Sequence, residues 1–453
     1  MSTLSDEPKG VPRTTLSRVA IASCAGTTIE FYDFFIYGTA AALVFPKVFF
    51  PALGAAAGTV ASLATLGVAF VARPVGAVVC GHFGDRLGRK NTLVATLLLM
   101  GVATIVIGLL PPASVIGAAG PILLTVLRFL QGFAVGGEWA GATLLAAENA
   151  PPGKRGLYAV FPQLGPAFGF ALASGTFLVV DLAVGPGSPA FLSYGWRIPF
   201  VASAVLVLIG LYVRLAVTET AEFREHQAKL RASGTQGANT LPLRAVFRAQ
   251  WREVLLGGGV LTILFALFYV ATAYLTSFGT SRSGVGLSRA SVLGLGIAAS
   301  AALAITTVAA GLLSDRFGRR RTILFAYVLT VPAVVVLFAW LTGRSGIAFA
   351  VTLTAMMGLY GIAYGPVGAY LPELFQTAYR YTGAGIAYNL GGILGGAIAP
   401  LVAAALAASH GVLAVGVLLG VLGAVSLLST VALRSRAAHE HSPAASPKLE
   451  HTP

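Results

Sequence analysis

Two acidic side chains, Glu30 and Asp33, lie in Thr27-Thr28-Ile29-Glu30-Phe31-Tyr32-Asp33-Phe34-Phe35-Ile36-Tyr37-Gly38, midway along an apolar stretch from about Arg18 to Phe45. A charge at the centre of a bilayer costs roughly 2.5–3.5 kcal/mol on insertion scales, so two in one span point to the handling of protons or of a charged substrate. Their i, i+3 spacing puts them on one helix face, with Gly26 and Tyr37 close by. Burial and a neighbouring cation act in opposite senses on a carboxyl group's hold on its proton, which makes Asp33 the first proton-coupling candidate and Glu30 the second. In the alternative reading, one of the pair simply holds an internal arginine. Arg128 lies inside the fourth apolar stretch, where a guanidinium keeps its proton and must be paired or solvated. Its planar fork suits a carboxylate, either a substrate's or that of Asp33 or Glu30. Arg73, beside Pro74, reads as a gating or structural residue that snorkels toward the nearer surface or pairs with Glu138. Glu138, next to Gly136 and Gly137, is a further protonation candidate with room for close packing or cavity access. Tyr37, Gln163, Tyr364, Tyr388 and Asn389 carry hydroxyl or amide groups in apolar stretches, where each needs a partner, and are candidates for substrate contact.

These residues need membrane-spanning elements to hold them. The 453-residue chain is 56% hydrophobic and 10% charged, whereas a soluble domain carries about 25% charged residues. Apolar windows long enough to cross the hydrocarbon core fall near 18–45, 55–81, 92–112, 118–148, 156–181, 198–217, 254–279, 290–313, 322–341, 346–371, 382–408 and 411–433. The expectation is an all-α membrane protein of twelve transmembrane helices. With both termini cytoplasmic, most of the 30 Lys and Arg fall inside; only Lys47, Arg197, Arg282, Arg289 and Arg344 lie outside, and Arg73 and Arg128 lie within spans. The net charge of +14 then reports topology rather than nucleic-acid affinity, because the basic residues are scattered over short loops. The first span is too long for a signal-peptide core and is expected to remain in the mature protein. Cys24 and Cys80 read as small core residues, with neither a disulfide nor a metal site expected.

The chain also repeats itself. Gly81-His82-Phe83-Gly84-Asp85-Arg86-Leu87-Gly88-Arg89-Lys90 after the second span returns as Gly311-Leu312-Leu313-Ser314-Asp315-Arg316-Phe317-Gly318-Arg319-Arg320 after the eighth, and Glu148 with Arg155 returns as Glu373 with Arg380. Two pseudo-symmetric six-helix bundles follow, with a substrate site near the midplane between them. The expected organisation is a cytoplasmic N-terminal segment at 1–17, bundles at 18–217 and 253–433, a polar cytoplasmic linker at 218–252 and a disordered tail at 434–453.

The loop motif with its echo resembles the signature of the major facilitator superfamily. Glu30-Phe31-Tyr32-Asp33-Phe34, Phe49-Phe50-Pro51, Arg73-Pro74-Val75-Gly76, Arg128-Phe129-Leu130-Gln131-Gly132-Phe133-Ala134-Val135-Gly136-Gly137-Glu138 and Trp196-Arg197-Ile198-Pro199-Phe200 narrow the likeness to the metabolite:proton symporter family, the group of shikimate, alpha-ketoglutarate, citrate and proline/betaine carriers. That resemblance implies uptake of a small metabolite, an organic acid above all, driven by protons across a bacterial inner membrane. It further implies a coupling role for the fourth-span arginine. Asp85, Arg86, Arg89, Glu148 and Arg155, with Asp315, Arg316, Arg319, Glu373 and Arg380 in the second half, would form a cytoplasmic gate, although charges at span ends also serve simply as anchors.

Gly165-Pro166-Ala167-Phe168-Gly169 resembles part of the Gly-Pro motif of proton-coupled drug antiporters, which keeps an efflux exchanger open as the alternative. No nucleotide-binding loop, metal cluster or nucleophile elbow with a plausible triad is evident, so neither an enzyme nor a cofactor is expected beyond the proton gradient. The expected partners are a small-molecule substrate, protons and the lipid bilayer, with the monomer as the working unit.

Overall fold

The computed structural model of the protein describes residues 13–87, 89–136, 155–185, 188–216, 242–376 and 380–433. Glu138 and Glu148 lie outside the described residues, as does most of the expected linker. Asp85, Arg86, Arg89, Arg155 and Arg380 sit on described helices, but their side chains are outside the description.

Twelve long helical segments follow one another, with no strand among the described residues. The first half contains α1 (Arg13–Leu43), α2 (Gly54–Leu87), α3 (Arg89–Leu109), α4 (Ala119–Val135), α5 (Arg155–Gln163 continued by Gly165–Val184) and α6 (Arg197–Ala216, led in by a π-helical turn at Phe191–Gly195). The second half contains α7 (Pro242–Tyr269, a π-turn at Val270–Tyr274, then Leu275–Thr280), α8 (Arg289–Phe317), α9 (Arg319–Leu341), α10 (Gly346–Glu373), α11 (Arg380–Gly391, a π-turn at Gly392–Ile398, then Ala399–His410) and α12 (Val412–Ala432). Only helices can satisfy their own backbone groups in hydrocarbon without closing a barrel, so a chain this apolar has little other choice. α7 begins earlier than its apolar window suggests: Pro242 to Gln250 is already helical, and the chain bends at Gln250 (φ −141°, ψ 35°). The Gln250 amide oxygen accepts the backbone N–H of Gln376 at 3.1 Å, tying that bend to the end of α10.

Burial separates inner from outer helices. The most apolar window of α7 is 89% buried and that of α10 is 56%, against 33% for α9, so α7 and α10 face the interior while α9 faces lipid.

Glycines set how closely the helices approach, and they do so in equivalent pairs in both halves. A Cβ on Gly76 would overlap the Phe133 carbonyl, one on Gly132 the Ala69 carbonyl and one on Gly136 the Arg73 carbonyl, so α2 and α4 run backbone against backbone. The matching pair is α8 with α10, where Gly361 and Gly365 press on Thr306 and Thr307. Likewise Gly165 and Gly169 seat α5 on Thr27, Phe31 and Tyr32 of α1, and Gly391 and Gly395 seat α11 on Leu261 and Thr262 of α7. Small residues in this register let helices pack without a hydrophobic driving force between them. The Gly165-Pro166 segment is therefore a seam that holds the helix carrying Glu30 and Asp33.

The Trp196-Arg197 motif is a structural clasp. Arg197 donates to the Gly108 and Leu110 carbonyls at 2.8 and 2.6 Å, capping the end of α3, where a cation also meets the negative end of the helix dipole. Trp196 is fully buried, with ring centroids of Phe45 and Phe49 at 5.7 and 6.1 Å. In the repeated loop, Gly318 takes φ 92° between α8 and α9, a conformation open to glycine and strained for other residues.

Candidate functional site

A small pocket at the junction of α1, α2, α3 and α4 is lined by Glu30, Asp33, Arg73, Arg128 and Gln131, with Phe34 among its apolar walls. Arg128 is fully buried and Asp33 is 1% exposed. The α2–α4 seam brings Arg73 into the same pocket as Arg128, because neither helix carries a side chain at the crossing to hold them apart. Arg73 is buried, with its guanidinium 4.5 Å from the Phe70 ring and 5.1 Å from Phe34. It does not snorkel to a surface, since those rings and the pocket hold it in the interior. The Arg128 guanidinium lies 4.0 Å from both the Phe34 and Tyr37 rings. Cation–π contacts of this kind favour the cation by about 0.5–2 kcal/mol, which offsets only part of what burial costs.

No direct ion pair joins Arg128 to Asp33, one of the two carboxylates, with Glu30, that the plain alternative offers it. Arg128 Nη1 instead donates to Gln131 Oε1 at 3.0 Å, one turn further along α4. Asp33 Oδ2 accepts from Thr104 Oγ1 at 3.3 Å. Among the described residues, Asp33 Oδ1, Arg128 Nε and Nη2 and Arg73 Nε have no hydrogen-bond partner. Buried donors and acceptors of this strength are costly to leave unmatched, and the pocket sets them side by side. Sequence reasoning missed Thr104 and gave Gln131 no role. The signal for both was their polarity within apolar windows.

The remaining candidates are distributed around the interface between the halves. Tyr37 is fully buried beneath Arg128 and donates to Thr65 Oγ1 at 2.7 Å. Gln163 on α5 donates its Nε2–H to the Tyr364 carbonyl of α10 at 3.1 Å, and Asn389 on α11 donates to Gly136 at 3.4 Å as well as to Gly385 at 3.0 Å. Both amides thus bridge the two halves. Tyr364 stacks on Tyr360 at 4.6 Å, and Tyr388 meets Phe265 edge-on at 4.9 Å. Phe34 and Phe70 of the first half meet Tyr269 of the second at 5.2 and 5.0 Å, and Phe35 meets Phe268 at 5.1 Å. An aromatic layer therefore closes the centre beside the charged pocket.

At the end that carries the repeated loop, Asp315 accepts the N–H groups of Gly156 and Leu157 at 2.8 and 3.1 Å, where α5 of the other half begins. A carboxylate at a helix N-terminus satisfies donors that the helix itself leaves free. Arg319 pairs with Glu373 and stands 3.9 Å from Asp315, so Glu373 joins the loop motif through Arg319. Arg316 turns outward over Phe317 at 5.4 Å. At the opposite end, Arg289 of α8 pairs with the buried Asp181 of α5 at 2.9 Å and lies 4.0 Å over the Phe191 ring. Asp181 was not a candidate from sequence, because a lone acid at the end of an apolar window reads as a span boundary.

Twelve helices in two bundles, joined by bridges that span a buried pair of arginines and carboxylates, define a membrane transporter. The family described as Sugar (and other) transporter matches residues 19–433, and the chain belongs to it. The chain is 45% identical over 432 residues to the "Inner membrane metabolite transport protein YhjE" of Escherichia coli (strain K12), covering 94% of this chain and 96% of the relative. It is 39% identical to the "Shikimate transporter" of the same organism over 399 residues, covering 86% and 87% of the two chains. Its fold matches the crystal structure of D-xylose-proton symporter with a TM-score of 0.72 at 18% identity, over 92% of this chain and 97% of that one. The fold is that of the major facilitator transporters.

Proposed function

We propose that the protein is a proton-coupled symporter that takes up a small organic acid by alternating access across a bacterial inner membrane, with both termini in the cytoplasm. The observation that carries this reading is one buried pocket holding an unmatched carboxylate oxygen of Asp33 beside the unmatched donors of Arg128 and Arg73. Two guanidinium groups in one apolar enclosure repel each other, and a carboxylate bound between them gains from both. Asp33 carries the coupled proton, with Glu30 on the same face and Glu138 as further carboxylates. Arg128 binds the acid, and Tyr37, Gln163, Tyr364, Tyr388 and Asn389 shape the space that opens when the aromatic layer parts. Asp315, Arg316, Arg319 and Glu373, with Asp85, Arg86, Arg89, Glu148, Arg155 and Arg380, form the cytoplasmic gate, and Arg73 links gate to pocket along α2. The likeness to a shikimate transporter supports a ring-bearing or compact carboxylic acid. Gly165 and Gly169 seat α5 on α1, which gives these glycines a packing role that does not depend on exchange.

Purified protein in liposomes with an alkaline interior tests the reading against a panel of labelled shikimate, alpha-ketoglutarate, proline and betaine. Accumulation of one acid that collapses with a protonophore supports proton symport. Proton-driven exchange of drugs, with no acid accumulated, rejects it in favour of efflux.

A further inference from the structure

Arg128 and Asp33 do not touch, yet a continuous chain of hydrogen bonds joins them. Arg128 Nη1 donates to Gln131 Oε1 at 3.0 Å, Gln131 Nε2 donates to Thr104 Oγ1 at 2.7 Å, and Thr104 Oγ1 lies 3.3 Å from Asp33 Oδ2. The four side chains are all buried and come from three helices, α4, α3 and α1. The direction of the chain is fixed by its ends. A guanidinium only donates and an ionised carboxylate only accepts, so the Gln131 amide must turn its oxygen to Arg128 and its NH2 to Thr104. That leaves Thr104 a single proton for two acceptors, Asp33 Oδ2 and the Met100 carbonyl at 2.9 Å.

We propose that Gln131 and Thr104 are positioning residues that transmit the protonation state of Asp33 to the guanidinium of Arg128, so that uptake of the proton strengthens binding of the organic anion. This rests on the symport reading above. With Asp33 ionised, the Thr104 hydroxyl turns to it and every dipole in the chain points from cation to anion, an alignment in which each bond strengthens the next. Part of the Arg128 charge is then offset from within the protein. When Asp33 takes up a proton it becomes a donor, the Thr104 hydroxyl swings to the Met100 carbonyl, and the chain loses its anionic end. Arg128 is left to attract a substrate carboxylate, and by reciprocity the bound anion favours the protonated state. The charged and titratable groups that face Asp33 among the described residues are Glu30 and Tyr32 on α1, Arg73 on α2 and Arg128 on α4; α3 contributes the Thr104 hydroxyl, and α7 sets Tyr269 against Phe34. Thr104 and Gln131 are thus the neutral groups through which the chain runs.

The test uses the full-length protein in proteoliposomes, with shikimate as the probe, and two readouts. One is the infrared carbonyl band of protonated Asp33, assigned by difference from Asp33→Asn and titrated without substrate. The other is the pH dependence of the KM for uptake. Thr104→Val keeps the shape and removes the hydroxyl, and the loss of one hydrogen bond to a carboxylate should move both midpoints to higher pH by about one unit. Thr104→Ser should restore them. Gln131→Met, which keeps length without the amide, should shift the midpoints in the same direction and serves if Thr104→Val fails to fold. Midpoints for Thr104→Val or Gln131→Met that coincide with wild type overturn the relay. If wild-type uptake ignores the proton gradient, the symport reading fails separately, and the infrared titration still judges the chain.

Discussion

Arg289 Nη1 lies 2.9 Å from Asp181 Oδ1, binding α8 of the second half to α5 of the first at the end opposite Asp315 and the start of α5. One antiparallel helix pair is therefore pinned at both ends, and under the alternating access proposed above each pin releases while the other holds. Removing one partner of a buried ion pair costs about 3–5 kcal/mol. Asp181→Asn is accordingly expected to open the Arg289 end and raise maleimide labelling of a cysteine placed at Ser174, which is 1% exposed on α5 beside Gly296 of α8, by tenfold or more. Labelling that stays at the wild-type rate would show that this pair does not hold the end closed.

Asp33→Asn should abolish concentrative uptake while leaving exchange of substrate down its own gradient, because the amide resembles a permanently protonated acid that cannot release its proton. Full accumulation with unchanged pH dependence would remove Asp33 from the coupling role and return it to Glu30 or Glu138.

For Arg128→Ala, the expected outcome is loss of anion uptake with normal membrane insertion. Hydrogen bonds to a charged group contribute about 1.5–3 kcal/mol, or roughly 10- to 100-fold in apparent affinity. An unchanged KM for the transported acid would assign Arg128 to structure alone.

Asp315→Asn keeps the size of the side chain and weakens its hold on the N–H groups of Gly156 and Leu157. Maximal uptake rate should fall several-fold while the ranking of substrates in competition assays stays fixed. A changed ranking would place Asp315 in recognition rather than in the gate.

Gly132→Ala puts a Cβ into the Ala69 backbone and should lower the thermal midpoint, since overpacking of this kind costs about 1–3 kcal/mol. Gly38→Ala is the control. Gly38 is buried with nothing within 4 Å of its would-be Cβ, and alanine favours a helix by up to about 1 kcal/mol over glycine. Equal effects at the two sites would remove the seam as the reason for the motif glycines.

The sequence by itself determined the class of fold, because hydrocarbon leaves an apolar chain of this length only helices, and the period of its apolar windows marked where they run. It also marked Asp33, Glu30, Arg73 and Arg128 as out of place in a membrane and therefore in need of one another or of a ligand. Only the tertiary structure decided how those four meet. Arg73 turns inward because the Gly76, Gly132 and Gly136 seam draws α2 onto α4, and no local pattern in α2 encodes which neighbour it will press against. Arg128 meets Asp33 through Gln131 and Thr104 rather than directly, since the relay depends on three helices arriving at one depth. Asp181 and Arg289 are far apart in the chain and each looks like an ordinary span boundary. Their pairing follows from the antiparallel docking of α5 on α8, a relation between two halves that neither half specifies alone.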